Sequence, residues 1–86
     1  MMSKKKPSEN EIRETGCWDT WSKEPSVFSW SYDDIETCYI LEGSATVTAS
    51  DGSSLSFGKG DLVTFKQGLE CTWKIDKTIK KKFKFG

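Results

Sequence analysis

Glu36 is the residue whose type and position most directly suggest chemistry in this sequence. It begins the segment Glu36–Leu41 (ETCYIL), where strand alternation places it on the same face as Cys38 and Ile40. A carboxylate turned toward an apolar interior costs several kcal/mol unless it is paired or protonated. Glu36 could therefore be a metal ligand, a general acid or base, or an anchor for the amine of a ligand. The structural alternative is a glutamate at a strand end that reaches water.

Lys81 is a lysine on an otherwise apolar strand face. In the closing segment IKKKFKF (residues 79–85) the odd positions hold Ile, Lys, Phe and Phe, whereas every even position holds lysine. On that apolar face Lys81 could pair with Glu36 and keep it ionised, or bind the carboxylate of a substrate. The alternative, which we favour slightly, is that the long side chain carries its ammonium to the rim of the fold.

The three cysteines, Cys17, Cys38 and Cys71, include no CxxC pair, and the chain has no histidine. This odd count argues against a disulfide framework and against a zinc ribbon. Cys71 could be a metal thiolate, a nucleophile or a small buried residue, and we favour the last because a nucleophilic thiolate commonly needs a histidine base. Glu36, Cys38 and Cys71 could together supply three zinc ligands. A Cys38–Cys71 disulfide would form only under oxidising conditions.

Length and charge limit the classes of function. Eighty-six residues make one small domain, and the formal net charge of zero gives no global field toward nucleic acid or membrane. Lysines gather at both ends, in Lys4–Lys6 and in residues 77–84, where we favour solubilising ends and protected strand edges over a nucleic-acid patch. No segment is typical of a signal peptide or a membrane span. We expect a soluble cytoplasmic protein, with an organellar location as the alternative.

The turn residues divide the chain into short strands. Residues 1–15 are predicted to be a polar N-terminal tail, frayed over Met1–Asn10, with one helical turn at Glu9–Thr15 capped by Ser8. Residues 16–86 are predicted to form a single domain. Glycine and aspartate turns, among them Glu42–Gly43 and Asp76–Lys77, separate seven strands, which predicts an all-β sandwich or barrel. The predicted strands are Val27–Tyr32, Glu36–Leu41, Ala45–Ala49, Ser54–Phe57, Leu62–Phe65, Leu69–Ile75 and Ile79–Phe85.

Two segments resemble the conserved motifs of the cupin superfamily. Glu36–Gly43 (ETCYILEG) has a glutamate, six residues and a glycine, and Gly60–Cys71 (GDLVTFKQGLEC) has the glycine spacing of the second motif. The chain resembles most closely the small single-domain cupins of the Cupin_3 or DUF861 type, the (S)-ureidoglycine aminohydrolase-like cupin domain, over residues 16–85. The resemblance implies an all-β fold, a small cupin (jelly-roll, RmlC-like) β-barrel with a short N-terminal segment.

The resemblance also implies where metal ligands would stand. In metal-binding cupins a His-x-His pair precedes the glutamate, and a final histidine closes the second motif. The first pair falls on Ser29 and Ser31, or on Trp30 and Tyr32 if the turn is shorter. The usual proline is Lys66 and the final histidine is Cys71, so only Glu36 remains from the four-ligand set. We therefore predict no cofactor, with Glu36 and Cys71 as the candidate ligands should a divalent metal bind.

If the chain has the strand register of the cupin family, the strand faces that carry Glu36 and Cys71 point into the barrel. Glu36, Cys38, Cys71 and Trp73 would then line one mostly apolar cavity with a few polar groups, the usual form of a small-ligand site. Ordinary core packing is the favoured role for Trp73. The predicted catalytic residues are Glu36, Lys81 and Cys71, and the predicted ligand-binding residues are Trp30, Tyr32, Cys38 and Trp73. The expected positions of Trp18, Trp21 and Phe28 are the outer face of the barrel or a dimer contact.

Two main hypotheses of function follow. The resemblance implies a small-molecule enzyme related to the ureidoglycine aminohydrolase-like cupins, acting on a small polar nitrogen compound. The known aminohydrolases of this type are larger, two-barrel, manganese-dependent proteins. The alternative is a metal-free barrel that binds or senses a small ligand, and a third hypothesis is a structural dimer module. The expected partners are a small polar molecule in the pocket and a second copy of the chain, with neither nucleic acid nor membrane.

Overall fold

The computed structural model describes residues 1–86 and places 63% of them in strands. All strand pairings are antiparallel and belong to one seven-stranded sheet. No helix is long and apolar enough to cross a bilayer. The elements are β1 (Met2–Lys5), α1 (Glu9–Glu14), a 3-10 turn (Thr15–Cys17), β2 (Asp19–Lys23), β3 (Ser26–Ser31), β4 (Glu36–Ala49), β5 (Ser54–Gly58), β6 (Leu62–Phe65) and β7 (Glu70–Phe85).

The two long strands, β4 and β7, pair with each other along most of their length and organise the sheet. The first half of β4 also pairs with β6 and its second half with β5, while β7 pairs with β3 and then with β2. Each long strand therefore has two successive partners on its other edge. This arrangement confirms the predicted all-β cupin fold and brings one face of β4 and one face of β7 to a shared interior.

The predicted turns at Glu42–Gly43 and Asp76–Lys77 are wrong, because β4 and β7 continue through both positions. The β4–β7 register shifts between Ile40 and Ala45, so the strands bend here without parting. Gly43 has a φ of 85°, and a Cβ at this position would overlap the carbonyl oxygen of Thr78. A glycine therefore allows two bent strands to approach each other, where the sequence pattern alone indicated a chain reversal.

The N-terminal segment is more ordered than predicted. Met2–Lys5 is a strand that pairs with β6, with Met2 opposite Phe65 and Lys5 opposite Leu62, so the prediction that Met1–Asn10 is frayed is wrong. One edge of β6 pairs with β4, and the backbone groups of its other edge pair with β1. The predicted helical turn is confirmed, and Ser8 and Glu11 form the reciprocal hydrogen bonds of a capping box.

The core follows the alternation of β4 and β7, which confirms the predicted inward faces. Stacked and tilted aromatic rings fill its centre: the Tyr32 and Phe65 centroids are 5.0 Å apart, and those of Phe65 and Trp73 are 5.5 Å apart. Two charged side chains, Glu36 and Lys81, are buried beside this apolar cluster. The members of this cluster are Tyr32, Cys38, Ile40, Ala45, Val47, Phe57, Val63, Phe65, Leu69, Cys71, Trp73, Ile75 and Ile79.

Candidate functional site

The centre of the candidate site is an ion pair between β4 and β7. The Lys81 Nζ lies 2.6 Å from the Glu36 Oε2, and the two side chains are only 7% and 5% exposed. In the register of the two strands Lys81 stands opposite Ile40, so its side chain extends along the barrel to reach Glu36. The predicted pairing of these residues is therefore present, rather than the extension of Lys81 to the rim. A buried pair of this kind is stable only because each charge compensates the other.

Cys38 completes the contacts of the pair on one side. Its thiol donates a hydrogen bond to the Glu36 Oε2 at 2.7 Å, and the Lys81 Nζ lies 3.6 Å from its sulfur. Both donors thus converge on the same carboxylate oxygen. The other oxygen, Oε1, accepts no hydrogen bond from the protein, and no fully buried side-chain oxygen or nitrogen lacks a partner. Oε1 must therefore keep some accessible surface.

Aromatic rings surround the ammonium of Lys81. Its Nζ lies 4.9 Å from the ring centroid of Trp21, 5.0 Å from that of Trp73 and 5.6 Å from that of Phe83. These distances fall within the range of cation–π attraction, which grows when the cation is desolvated. Of the three N–H donors of Lys81, one meets the Glu36 carboxylate and one points at the Cys38 sulfur. The third has no polar protein partner.

The ion pair forms part of the wall of a cavity of about 270 Å³. Trp30 and Phe85 line this cavity and yet remain about half exposed, so they form its rim. A largely apolar cavity with a few convergent polar groups is the usual form of a small-molecule site. The lining residues are Trp21, Phe28, Trp30, Tyr32, Glu36, Trp73, Lys81, Phe83 and Phe85.

Tyr32 supplies a further polar group to the cavity. Its hydroxyl accepts a hydrogen bond from the Trp73 Nε1 at 3.1 Å. Burial, and to a smaller extent the negative charge of Glu36, raises the pKa of the Tyr32 hydroxyl well above its usual value. The hydroxyl therefore remains protonated, and its own hydrogen has no acceptor within the protein. Tyr32 can donate to a ligand while it orients Trp73.

Cys71 is not part of this site. The prediction that Glu36, Cys38, Cys71 and Trp73 line one cavity is wrong for both cysteines. The Cys71 sulfur lies 3.5 Å from the Trp30 carbonyl oxygen, and Cys71 lines a separate surface groove. Burial raises the pKa of its thiol, which disfavours the reactive thiolate. Cys38 contacts the ion pair but does not line the cavity. Five of the predicted site residues, Glu36, Lys81, Trp30, Tyr32 and Trp73, do line it together.

Trp21 and Phe28 are the main residues that sequence reasoning placed wrongly. Both line the cavity instead of the outer face, because Trp21 pairs with Lys81 and Phe28 pairs with Trp73 across the strands. Cross-strand partners share a face of the sheet. Alternation within DTWSK (residues 19–23) would have isolated Trp21 as its single apolar residue. Phe83 and Phe85 also line the cavity, and they share the predicted apolar face of Lys81.

The residues present do not fit the divalent metal site of metal-binding cupins. No group of three or more His, Cys, Asp or Glu side chains is arranged to hold a metal ion. The one retained ligand, Glu36, is already neutralised by the ammonium of Lys81, which would repel a second cation at that oxygen. The proposed set of Glu36, Cys38 and Cys71 is likewise not arranged as a group that could hold a metal ion.

Fold and site together define a small cupin barrel with an aromatic pocket built around an ion pair. The chain belongs to the EutQ-like cupin domain family, Cupin_3, whose family model matches residues 11–83. This match confirms the family that the two sequence motifs resemble.

Solved structures agree with this assignment. A DUF861 family protein from Thermotoga maritima is 42% identical, with a TM-score of 0.97 and complete coverage of both chains. A DUF861 protein from Pseudomonas syringae pv. tomato is 26% identical, with a TM-score of 0.70, and the match covers 78% of this chain and 29% of that one. The Clostridium difficile EutQ protein shares the fold at 17% identity and a TM-score of 0.68, over 74% of this chain and 50% of that one. No curated protein matches the chain significantly.

Proposed function

We propose that this protein is a metal-independent small-molecule cupin whose pocket binds a small neutral compound with a carboxamide or ureido group. The observation that carries the proposal is the buried Glu36–Lys81 pair, which faces an aromatic cavity and leaves the Glu36 Oε1 free. A carboxamide or ureido group has an N–H donor beside a carbonyl acceptor. The donor would meet Oε1, and the acceptor would meet the remaining N–H of Lys81 or the hydroxyl of Tyr32.

Charge balance favours a neutral ligand. Glu36 and Lys81 compensate each other at 2.6 Å, so a ligand with a net charge would bring an uncompensated charge into a largely apolar cavity. The aromatic lining favours a flat group, because the rings offer their faces for stacking. A planar and neutral nitrogen compound satisfies both conditions.

Catalysis is a second candidate, favoured by the free oxygen of Glu36 and by the family resemblance to aminohydrolase-like cupins. Oε1 is positioned to act as a general base toward a water molecule, with Lys81 and Tyr32 as donors to the oxygen of the attacked carbonyl. Such a protein would hydrolyse a small polar nitrogen compound without a metal. In this hypothesis the same residues serve as in ligand binding, so turnover is the property that separates the two candidates.

A matched set of aryl compounds tests the ligand class. Benzamide and phenylurea are neutral, whereas benzoate and benzamidinium have the same size and opposite charges. We expect the two neutral compounds to shift the indole N–H resonances of Trp21 and Trp73 in a proton–nitrogen correlation spectrum, with weaker shifts for both ions. Equal or stronger shifts from either ion, or no shift from any compound, would contradict the proposal.

A substitution at Glu36 tests the role of its free oxygen, and a substitution at a neighbouring residue is the control. Glu36→Gln keeps the shape of the side chain but removes the carboxylate, so it should weaken binding of benzamide. Thr37 follows Glu36 on β4 and does not line the cavity, so Thr37→Ala should leave the binding of benzamide unchanged. Release of ammonia from phenylurea by the wild-type protein, absent in Glu36→Gln, would favour the enzyme. Binding without ammonia release from any ureido compound would favour the binding protein.

A further inference from the structure

Lys81 differs from every other amine of this protein in its surroundings. It alone among the twelve lysines is buried, and its Nζ faces a cavity that three aromatic rings and Glu36 help to line. Enclosure in an apolar pocket favours the neutral form of a lysine amine, which is the nucleophile toward carbonyl compounds, and the adjacent Glu36 carboxylate can accept the proton that the ammonium must lose. Binding of a neutral nitrogen compound does not require this nucleophilicity.

We propose that Lys81 is a Schiff-base lysine, which condenses reversibly with a small aldehyde bound in the aromatic cavity. This inference goes beyond the proposed function, since it concerns a covalent bond and a different class of compound. It uses the same cavity, which exceeds the roughly 150 Å³ that suffices for benzene in an engineered protein cavity.

Glu36 can supply the proton transfers that this reaction needs. An ammonium has no free electron pair, so the nitrogen must first lose a proton. The Glu36 Oε2 lies 2.6 Å from the Nζ, and transfer between them converts an ion pair into a neutral amine and a neutral acid. The net charge of the pocket does not change, so no uncompensated charge is left in the apolar surroundings.

The condensation then proceeds with balanced atoms and charges. The nitrogen electron pair forms a C–N bond to the carbonyl carbon, and the C=O pair moves to the oxygen. One N–H proton passes to that oxygen and gives a carbinolamine. Glu36 then protonates the hydroxyl, which leaves as water while the C=N bond forms. The products are an iminium ion, the Glu36 carboxylate and one water molecule, and no oxidant or reductant is consumed.

The surroundings that hold the ammonium of Lys81 also suit the product. An iminium ion keeps its positive charge at the same nitrogen, 2.6 Å from the position of the Glu36 carboxylate and about 5 Å from the ring centroids of Trp21 and Trp73. The aromatic walls can pack against the substituent of the aldehyde. Cys38 is a poorer nucleophile here, because burial raises the pKa of its thiol and the thiol does not line the cavity.

Reductive trapping on the wild-type protein tests the proposal without depending on a variant. The protein is incubated with benzaldehyde and sodium cyanoborohydride, and the benzylated lysines are located by peptide mass spectrometry. We expect Lys81 to be labelled about tenfold more than any exposed lysine at low aldehyde concentration. Labelling spread over the exposed lysines with little or none at Lys81 would overturn the proposal.

Two lysine variants sharpen the result. Lys81→Arg keeps a cation beside Glu36 but cannot form an imine, so the dominant adduct should disappear. Lys82 is the next residue of β7 and does not line the cavity, so the adduct at Lys81 should remain in Lys82→Arg. Persistence of the dominant adduct in Lys81→Arg would overturn the proposal. Labelling at Lys81 in a protein that does not bind benzamide would leave this inference intact while the proposed function fails.

Discussion

The ammonium of Lys81 lies 2.6 Å from the carboxylate of Glu36 in the interior of the barrel, although the two residues are 45 positions apart in the chain. In the metal-binding cupins that the sequence resembles, the corresponding glutamate is a metal ligand. Here a side chain of the protein itself supplies the positive charge at that carboxylate. The buried charge of Glu36 is thus compensated from within the protein.

The first prediction concerns the stability of this pair. Lys81→Met should lower the free energy of unfolding by about 3–5 kcal/mol, because it leaves the buried Glu36 carboxylate without a partner. Guanidinium denaturation at neutral pH measures the change. The double variant Lys81→Met with Glu36→Gln should be more stable than Lys81→Met alone, since no buried charge remains.

An exposed pair is the matched control. Lys5 and Glu11 lie 2.7 Å apart with side chains 60% and 34% exposed, so Lys5→Met should leave the denaturation midpoint nearly unchanged. Equal losses of stability from Lys5→Met and Lys81→Met would show that burial does not distinguish the two pairs.

The second prediction concerns thiol reactivity. Burial raises the pKa values of Cys38 and Cys71, so little thiolate is present at either near neutral pH, whereas Cys17 is exposed. Ellman's reagent should therefore modify one thiol quickly in the native protein and all three in denaturant. Cys17→Ser should abolish the fast phase, and a fast phase that survives this change would place the reactive thiol in the barrel.

The third prediction concerns acid stability through Asp61. Burial alone would raise the pKa of Asp61, but the Lys6 ammonium at 2.8 Å and the Gly58 N–H at 2.9 Å outweigh it and hold the pKa below its usual value. Because the folded pKa is depressed, this carboxylate stabilises the fold fully above the unfolded pKa of about 3.9, and the contribution is lost as the pH falls through the folded pKa.

Asp61→Asn should therefore be less stable than the wild type at pH values above about 5, and the difference should shrink as the pH is lowered toward about 2. Urea denaturation across this range gives the two curves. Asp76→Asn is the control, because Asp76 is exposed and has no ion-pair partner. Parallel curves for the wild type and Asp61→Asn would contradict the assigned role of Asp61.

The fourth prediction concerns the bend of β4. Gly43 and Gly52 have similar positive φ values, 85° and 91°, but a Cβ would overlap the Thr78 carbonyl only at Gly43. Gly52→Ala should cost about 1–2 kcal/mol from backbone strain, and Gly43→Ala should cost clearly more. Thermal unfolding of the two variants measures the additional cost of the close approach between β4 and β7. Equal decreases in Tm would show that backbone strain alone accounts for both losses of stability.

Much of the barrel interior could be predicted because strand alternation is a local property of the sequence. Period-two patterns within single strands placed Glu36 and Lys81 on apolar faces, the two glycine-containing motifs indicated the family, and the family resemblance implied that the face of Glu36 turns into the barrel. The prediction of a homodimer stays a prediction. The errors at Gly43 and at Asp76–Lys77 arose because a glycine or aspartate signals a turn and a bulge equally well, and the partner strand decides between them.

The sequence by itself determined which residues of each strand share a face, that no histidine is present to bind a metal, and that an acid and a lysine lie on apolar faces. Only the tertiary structure decided that Lys81 meets Glu36, that Cys71 lies apart from them, and that Trp21 and Phe28 complete the cavity. The physical reason is that these contacts depend on the register between strands distant in sequence, where a shift of one residue moves every side chain to the opposite face.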